Sequence, residues 1–178
     1  MEGSGADERA WIRRAQEGST SAMEALFRHH WGRAYRAAYL VVHDAAAAED
    51  IAQEGFLAAV RNLDRFDRRR PFGPWLHRIV VNRAIDWARA RTLRRETGGV
   101  PLELVAGDDE PGNPHARTLA EGLARLSPEH RAVIVLRHLL EYTPGEIAGL
   151  LGLPRGTVNS RLRRGLDELR DRLGEDIR

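Results

Sequence analysis

Asn159, Ser160, Arg163 and Arg164 recur at helical spacing along one side of the stretch 155–169. Side chains of these types read nucleic acid. Arginine pairs with guanine edges and asparagine with adenine, while arginine and serine both suit phosphate. The other side of the same stretch carries Val158, Leu162, Leu166 and Leu169, at steps of four, four and three, which is a buried helical face.

A second constellation lies at residues 64–75, DRFDRRRPFGPW. Arg65, Arg68, Arg69 and Arg70 alternate with Phe66, Phe72 and Trp75. Positive charge interleaved with aromatic faces suits single-stranded nucleic acid, because bases stack and phosphates are neutralised. The same aromatics could instead pin a loop to a core, and for Trp75, which opens a helix, pinning is the favoured reading.

A third group, Glu49, Asp50, Gln53 and Glu54, forms an acidic and polar helical patch. No histidine or third ligand accompanies it in sequence, so a partner-docking or solvated face is expected rather than acid–base or metal chemistry. His29 and His30 are adjacent, so they are expected on different helix faces. His43 lies far along the chain, and no metal site is expected.

The composition narrows the chemistry further. Cysteine is absent, and all 28 basic residues are arginine. Disulfides, thiolate catalysis, Schiff-base lysines and phosphate-loop lysines are therefore excluded. The glycines at 145, 149, 152 and 156 cannot form a nucleotide loop of that type. No run of 18 apolar residues suggests a membrane span, and the polar, acidic start does not read as a signal peptide. Residues 1–95 carry 17 arginines against 12 acids, residues 96–116 no arginine and five acids, and residues 117–178 carry 11 arginines against nine acids. Two basic blocks joined by an acidic connector suggest two nucleic-acid-facing modules.

Helices must position these groups. A short helix is expected from about Asp7 to Gly18. A longer one follows to about Val42, capped by Ser19 or Ser21, burying Met23, Leu26, Phe27, Trp31, Ala34, Tyr35, Ala38 and Val42. Asp44 should cap a helix through Leu63, with Ala48, Ile51, Phe56, Leu57 and Val60 along its apolar line. Pro71 and Pro74 break the chain before a helix from Pro74 or Trp75 to about Arg95. Asn82, Arg83, Asp86, Arg89 and Arg91 face its polar side, placing arginines where they could lie across a nucleic-acid backbone. Residues 96–115 hold three prolines and no clear period, and read as a linker. Fully extended, that linker spans about 65 Å, about two turns of DNA. A helix from Arg117 to Arg125 follows, then a second one capped by Ser127 and running to Tyr142.

The stretch 143–169 then reads as a helix, a turn and a second helix. Thr143 and Glu146 form a capping box, Pro144 takes the first helical position, and Gly152 ends the first helix. Pro154 bars continuation. This pattern matches a helix-turn-helix whose second helix enters the major groove, with a plain helical hairpin as the alternative.

Three motifs in order, AEDIAQEGFLAAV (48–60), FDRRRPFGPWLHRIVVNRAIDWAR (66–89) and the stretch from Leu126 to Arg170, resemble bacterial sigma factors of the extracytoplasmic-function (ECF) type. The resemblance implies an all-α chain of two small helical domains joined by a flexible linker. Residues 1–95 would be region 2, residues 96–116 the linker and residues 117–178 region 4. It implies a non-catalytic specificity subunit without cofactor or small-molecule substrate, working in the cytoplasm. The partners would be core RNA polymerase (the clamp helices of its largest subunit, and its flap), promoter DNA and an anti-sigma factor.

Residue by residue, the resemblance implies that Glu49, Asp50, Gln53, Glu54 and Leu57 dock on the polymerase. Arg68, Arg69, Arg70, Phe72, Trp75, Asn82, Arg83 and Asp86 would melt and hold the minus-ten element. Arg155, Thr157, Asn159, Ser160, Arg163 and Arg164 would read the minus-thirty-five duplex. The acidic linker would thread toward a path normally holding RNA. Two positions depart from the pattern: Gly55 stands where a larger residue is usual, and Arg163 where an aromatic or aliphatic residue often sits. The rival expectation is a stand-alone helix-turn-helix regulator binding DNA as a dimer.

Overall fold

The computed structural model describes residues 5–98 and 114–176. They form helices α1 (Gly5–Gln16), α2 (Thr20–Val42), α3 (Ala45–Arg61), α4 (Phe72–Gly98), α5 (Pro114–Ala124), α6 (Pro128–His138), α7 (Pro144–Leu151) and α8 (Arg155–Asp176), with a 3-10 turn at Leu63–Arg65. There is no strand among the described residues, so the chain is all-α.

Short polar residues start these helices by satisfying orphan backbone N–H groups. The Ser19 hydroxyl accepts from Ala22 N–H, the Asp44 carboxylate from Ala47 N–H at 3.0 Å, and the Ser127 hydroxyl from His130 N–H. Asp44 also accepts from Arg91 at 2.9 Å, tying the start of α3 to α4. The guanidinium of Arg91 lies 5.0 Å over the Trp87 ring, which fixes that arginine within α4 as well.

Several boundaries differ from the sequence expectation. Helix α4 begins at Phe72, so Pro74 lies inside it. Pro74 falls in the first turn, where no intrahelical partner awaits its missing N–H. Helix α4 also runs past 95 and α5 begins before 117, so both expected linker boundaries fall inside helices. The interior of that linker, 99–113, lies outside the described residues. Helix α6 stops at His138 instead of reaching Tyr142. Glu141 takes φ 61°, and Tyr142 N–H folds back to the Leu136 carbonyl at 3.0 Å.

Helix α2 is the centre of the first half and packs against α1, α3 and α4. Its Ala34, Ala37 and Ala38 are completely buried, which lets the neighbouring helices approach closely. Phe27, expected in the core, is 39% exposed. In the second half, α5, α6 and α7 all pack on α8.

The halves, read from sequence as separate units on a tether, meet here. Helix α2 contacts α5 and α6, and α4 contacts α6 and α7, so one buried apolar cluster runs from Ile12 to Leu169. Ile12, Leu76, Leu136 and Ile147 are among its fully buried members. Each such burial contributes about 1.5–3 kcal/mol. An exposed ion pair contributes about 0–1 kcal/mol, so apolar packing rather than surface charge holds the fold.

Candidate nucleic-acid interface

The helix-turn-helix is built by local hydrogen bonds. Thr143 N–H donates to Glu146 Oε2 at 2.8 Å, and Glu146 N–H donates to the Thr143 hydroxyl, closing the capping box. The Thr143 hydroxyl and N–H together hold the Glu146 carboxyl below the usual carboxylate range. Gly152 takes φ 66° and its N–H returns to the Ala148 carbonyl, which ends α7. The Pro154 carbonyl then accepts from both Thr157 and Val158 N–H and starts α8.

Val158, Leu162 and Leu169 are buried beneath α8. Gly165 permits a close crossing with α6, since a Cβ there would stand 3.0 Å from Ile134 Cδ1. The opposite face presents Arg155, Asn159, Arg163 and Arg164 to solvent, with Thr157 and Ser160 half-buried. The Ser160 hydroxyl donates to the Thr157 carbonyl at 2.9 Å. Among the described residues, Arg155, Arg163 and Arg164 have no carboxylate partner, whereas Arg170 and Arg172 farther along α8 pair with Asp167 and Glu168. The arginines free to meet phosphate or guanine are therefore those at the start of α8.

At the second constellation, Asp67 holds Arg69 through both oxygens, at 3.0 and 3.1 Å, and accepts from the Arg69 backbone N–H. The Arg69 side chain, first, and its backbone N–H keep the Asp67 carboxyl below its ordinary value. Arg68 and Arg70 stay exposed. The aromatics turn inward. Phe72 is 3% exposed, with its ring centroid 5.8 Å from Phe66, and Trp75 is half-buried 4.6 Å from Phe66. Phe72, expected at the minus-ten element, is thus enclosed by Phe66 and Trp75 and turned away from solvent. Gln16 anchors this loop by donating to the Leu63 and Phe66 carbonyls, and Glu8 accepts from Phe72 N–H. Farther along α4, Asn82 and Arg83 are half-buried and Asp86 is exposed.

The acidic patch lies open on α3. Glu49, Asp50, Gln53 and Glu54 are exposed, and Leu57 is 54% exposed. Gln53 donates to Glu49 at 3.1 Å, and Glu54 lies 3.9 Å from Arg83 of α4. Sequence reasoning missed what adjoins the patch: an apolar groove of about 450 Å³ between α2 and α3, lined by Met23, Phe27, Phe56, Leu57, Val60 and Leu63. The only sequence signal for it was an apolar line on α3 broader than one buried face requires.

His29 is exposed and His30 buried, as their adjacency suggested, yet their rings stay close. Their ring centroids are 4.7 Å apart, and with Glu8 they bring three possible ligand atoms within 4.8 Å of one another. Glu8 already serves two neighbours there, accepting from Phe72 N–H and facing His30 Nε2 at 3.5 Å.

Comparison with known proteins places these features. The family profile for sigma-70 region 2 matches residues 26–94, and that for sigma-70 region 4 matches residues 122–171. The chain is 31% identical to the ECF RNA polymerase sigma factor SigW of Bacillus subtilis, over 91% of this chain and 94% of SigW. It is 32% identical to the RNA polymerase sigma factor CarQ of Myxococcus xanthus, over 92% of this chain and 96% of CarQ. The structure of CnrH, solved in complex with the cytosolic domain of CnrY, superposes with a TM-score of 0.72 at 30% identity, covering 96% of this chain and 99% of that one. Two sigma regions in order and full-length relatives at this identity leave one assignment: this chain belongs to the sigma-70 family, as an alternative sigma factor of the ECF type that directs transcription.

Proposed function

We propose that the chain gives core RNA polymerase its promoter specificity through two separated DNA contacts, and itself breaks no covalent bond. Arg155, Thr157, Asn159, Ser160, Arg163 and Arg164 read the minus-thirty-five duplex. Each good bidentate pair contributes about 1–3 kcal/mol of discrimination. Arg68, Arg69, Arg70, Trp75, Asn82, Arg83 and Asp86 engage the minus-ten element. The charged groups meet backbone, and extruded bases are held against an unstacking cost of a few kcal/mol. Glu49, Asp50, Gln53, Glu54 and Leu57 dock on the clamp helices of the largest polymerase subunit. The division into residues 1–95, 96–116 and 117–178 carries these roles in that order.

The observation that carries this reading is the arginine face at the start of α8, without carboxylate partners among the described residues, raised on a capped helix-turn-helix within a chain matching both sigma regions. An anti-sigma factor is the expected regulator, and the cytoplasm the expected setting. No helix among the described residues is long and apolar enough to cross a membrane.

Transcription in vitro from genomic fragments, with core polymerase and with start sites mapped, tests the reading. Start sites that depend on both polymerase and this chain are expected. A chain that ignores core polymerase and binds a symmetric site alone as a dimer overturns it.

A further inference from the structure

Helix α1 is tied to the loop between α3 and α4 at both of its ends. Gln16, in its last turn, donates to the Leu63 and Phe66 carbonyls at 2.8 and 3.0 Å. Glu8, in its first turn, accepts from Phe72 N–H through Oε1 at 3.1 Å. The other carboxylate oxygen, Oε2, faces α2 and lies 3.5 Å from His30 Nε2. His30 is 6% exposed, and its Nε2 is buried without a well-formed hydrogen bond. A contact of 3.5 Å is at the outer limit for one. A buried imidazole nitrogen in that state has room for a stronger partner.

His29 stands beside it. Neighbouring side chains leave a helix about 100° apart, yet the two rings converge edge to face with centroids 4.7 Å apart. One ligand atom from each of Glu8, His29 and His30 lies within 4.8 Å of the other two. We propose that these three residues bind a divalent transition-metal ion of the zinc class, which staples α1 to α2.

Zinc bonds imidazole nitrogen at about 2.0–2.1 Å and carboxylate oxygen at about 2.0–2.2 Å, in a tetrahedron. Two ligand atoms of such a tetrahedron are about 3.3 Å apart. The Glu8 and His30 pair, at 3.5 Å, already stands at that spacing. His29 is exposed and can turn, and a shift of about 1.5 Å at most brings its nitrogen to the same spacing. Water completes the tetrahedron from the solvent side of His29. Two imidazoles and one carboxylate suit zinc, whereas magnesium and calcium take oxygen ligands.

The surroundings support the ligands. Phe72 lies against His30 at 5.1 Å between centroids, and Trp11 lies edge-on to His29 at 5.7 Å. The Phe72 N–H holds Glu8 by the oxygen that faces away from His30, as outer partners hold ligating carboxylates. Helix α1 has 12 residues, a marginal length for a helix on its own. An ion that ties Glu8 to α2 therefore steadies α1 and, through Phe72 N–H, the end of the loop carrying Arg68, Arg69 and Arg70. The site itself does not depend on the sigma-factor reading, and its test needs neither polymerase nor promoter.

The untagged full chain, stripped with a chelator, is titrated with Zn2+ by calorimetry and with Co2+ by visible absorption. One ion per chain is expected, with cobalt bands of tetrahedral intensity. Changes to outer partners at such sites cost about tenfold to a hundredfold in affinity, and loss of a ligand should cost no less. His29→Ala changes an exposed residue, and Glu8→Gln keeps an acceptor for Phe72 N–H, so both variants should fold. Each should weaken Zn2+ binding at least about tenfold. His138→Ala, at an exposed histidine of α6, should bind as wild type. At about a hundred times its Kd, Zn2+ should raise the folded-to-unfolded ratio of wild type about a hundredfold in urea, with a far smaller gain in His29→Ala at the same concentration. Absence of one-to-one Zn2+ binding overturns the proposal. So does wild-type affinity in either His29→Ala or Glu8→Gln, loss of binding in His138→Ala, or displacement of Zn2+ by equimolar Mg2+.

Discussion

A Cβ atom on Gly55 would stand 2.5 Å from Val80 Cγ2, so α3 and α4 cross at a point with no room for a methyl group. The position that departs from the family pattern is thus set by packing. Val80 is completely buried and β-branched, so it has little freedom to yield. Gly55→Ala gains up to about 1 kcal/mol in helix propensity. Overpacking costs about 1–3 kcal/mol, and the steric term should prevail. A lower urea midpoint is expected for Gly55→Ala, with much of the loss recovered when Val80→Ala is added. Independent, additive losses from the two changes would show that the helices do not meet here.

Arg164 is exposed and without a carboxylate partner among the described residues, so its charge can be reversed with little effect on folding. Arg164→Glu should reduce promoter-specific transcription by a factor matching about 1–3 kcal/mol, about fivefold to more than a hundredfold. Its affinity for core polymerase and its thermal midpoint should match wild type. Unchanged transcription from mapped start sites would remove Arg164 from the reading face.

Asp50 lies on the open face of α3 beside the apolar groove, where a partner helix could use both charge and apolar area. Asp50→Arg should weaken association with core polymerase while leaving the circular dichroism spectrum unchanged. Raising salt should narrow the gap between variant and wild type, because exposed charge is screened. Wild-type affinity at low salt would place docking elsewhere.

What could be read from sequence was local. Thr143 with Glu146, Ser127, Asp44 and Gly152 lie within a turn of the helix ends they define, so residue type alone identified them. The polar face of α8 was legible for the same reason, since helical period fixes which side chains share a side. The illegible features depend on residues far apart. His77 meets Tyr142 across 65 positions and Arg89 meets Glu129 across 40, and no periodicity signals either. Phe72 resembled a base-stacking residue because charge and aromatics alternate around it, yet Phe66, Trp75 and His30 enclose it. Phe27 matched a core spacing but lines the groove between α2 and α3, with its ring centroid 4.8 Å from that of Phe56 and 39% of it exposed.

Acid should loosen the molecule above the pH at which carboxylates protonate. His43 and His77 are buried, and burial pushes them down to about 3 and about 4. Neighbouring groups reinforce this: Arg131 of α6 acts on His43, while His30 and Arg33 of α2 act on His77, whose Nδ1 meets Tyr142. An unfolded histidine titrates near 6.5, so between that value and about 4 the unfolded chain binds more protons than the folded one. Stability from keeping these rings neutral is therefore present above about pH 6.5 and declines as pH falls toward the folded values. The slope is about 1.4 kcal/mol per pH unit for each histidine, or about 2 kcal/mol each from pH 7 to 5. Glu8, whose carboxyl is lowered chiefly by its hydrogen bond with His30, adds to the loss only at lower pH. Urea unfolding at pH 7 and pH 5 checks this, with His43→Gln as the comparison. The variant should lose about half as much stability as wild type over that range. Equal pH dependence in the two chains would mean that His43 is not held neutral by the packing of α6 against α2.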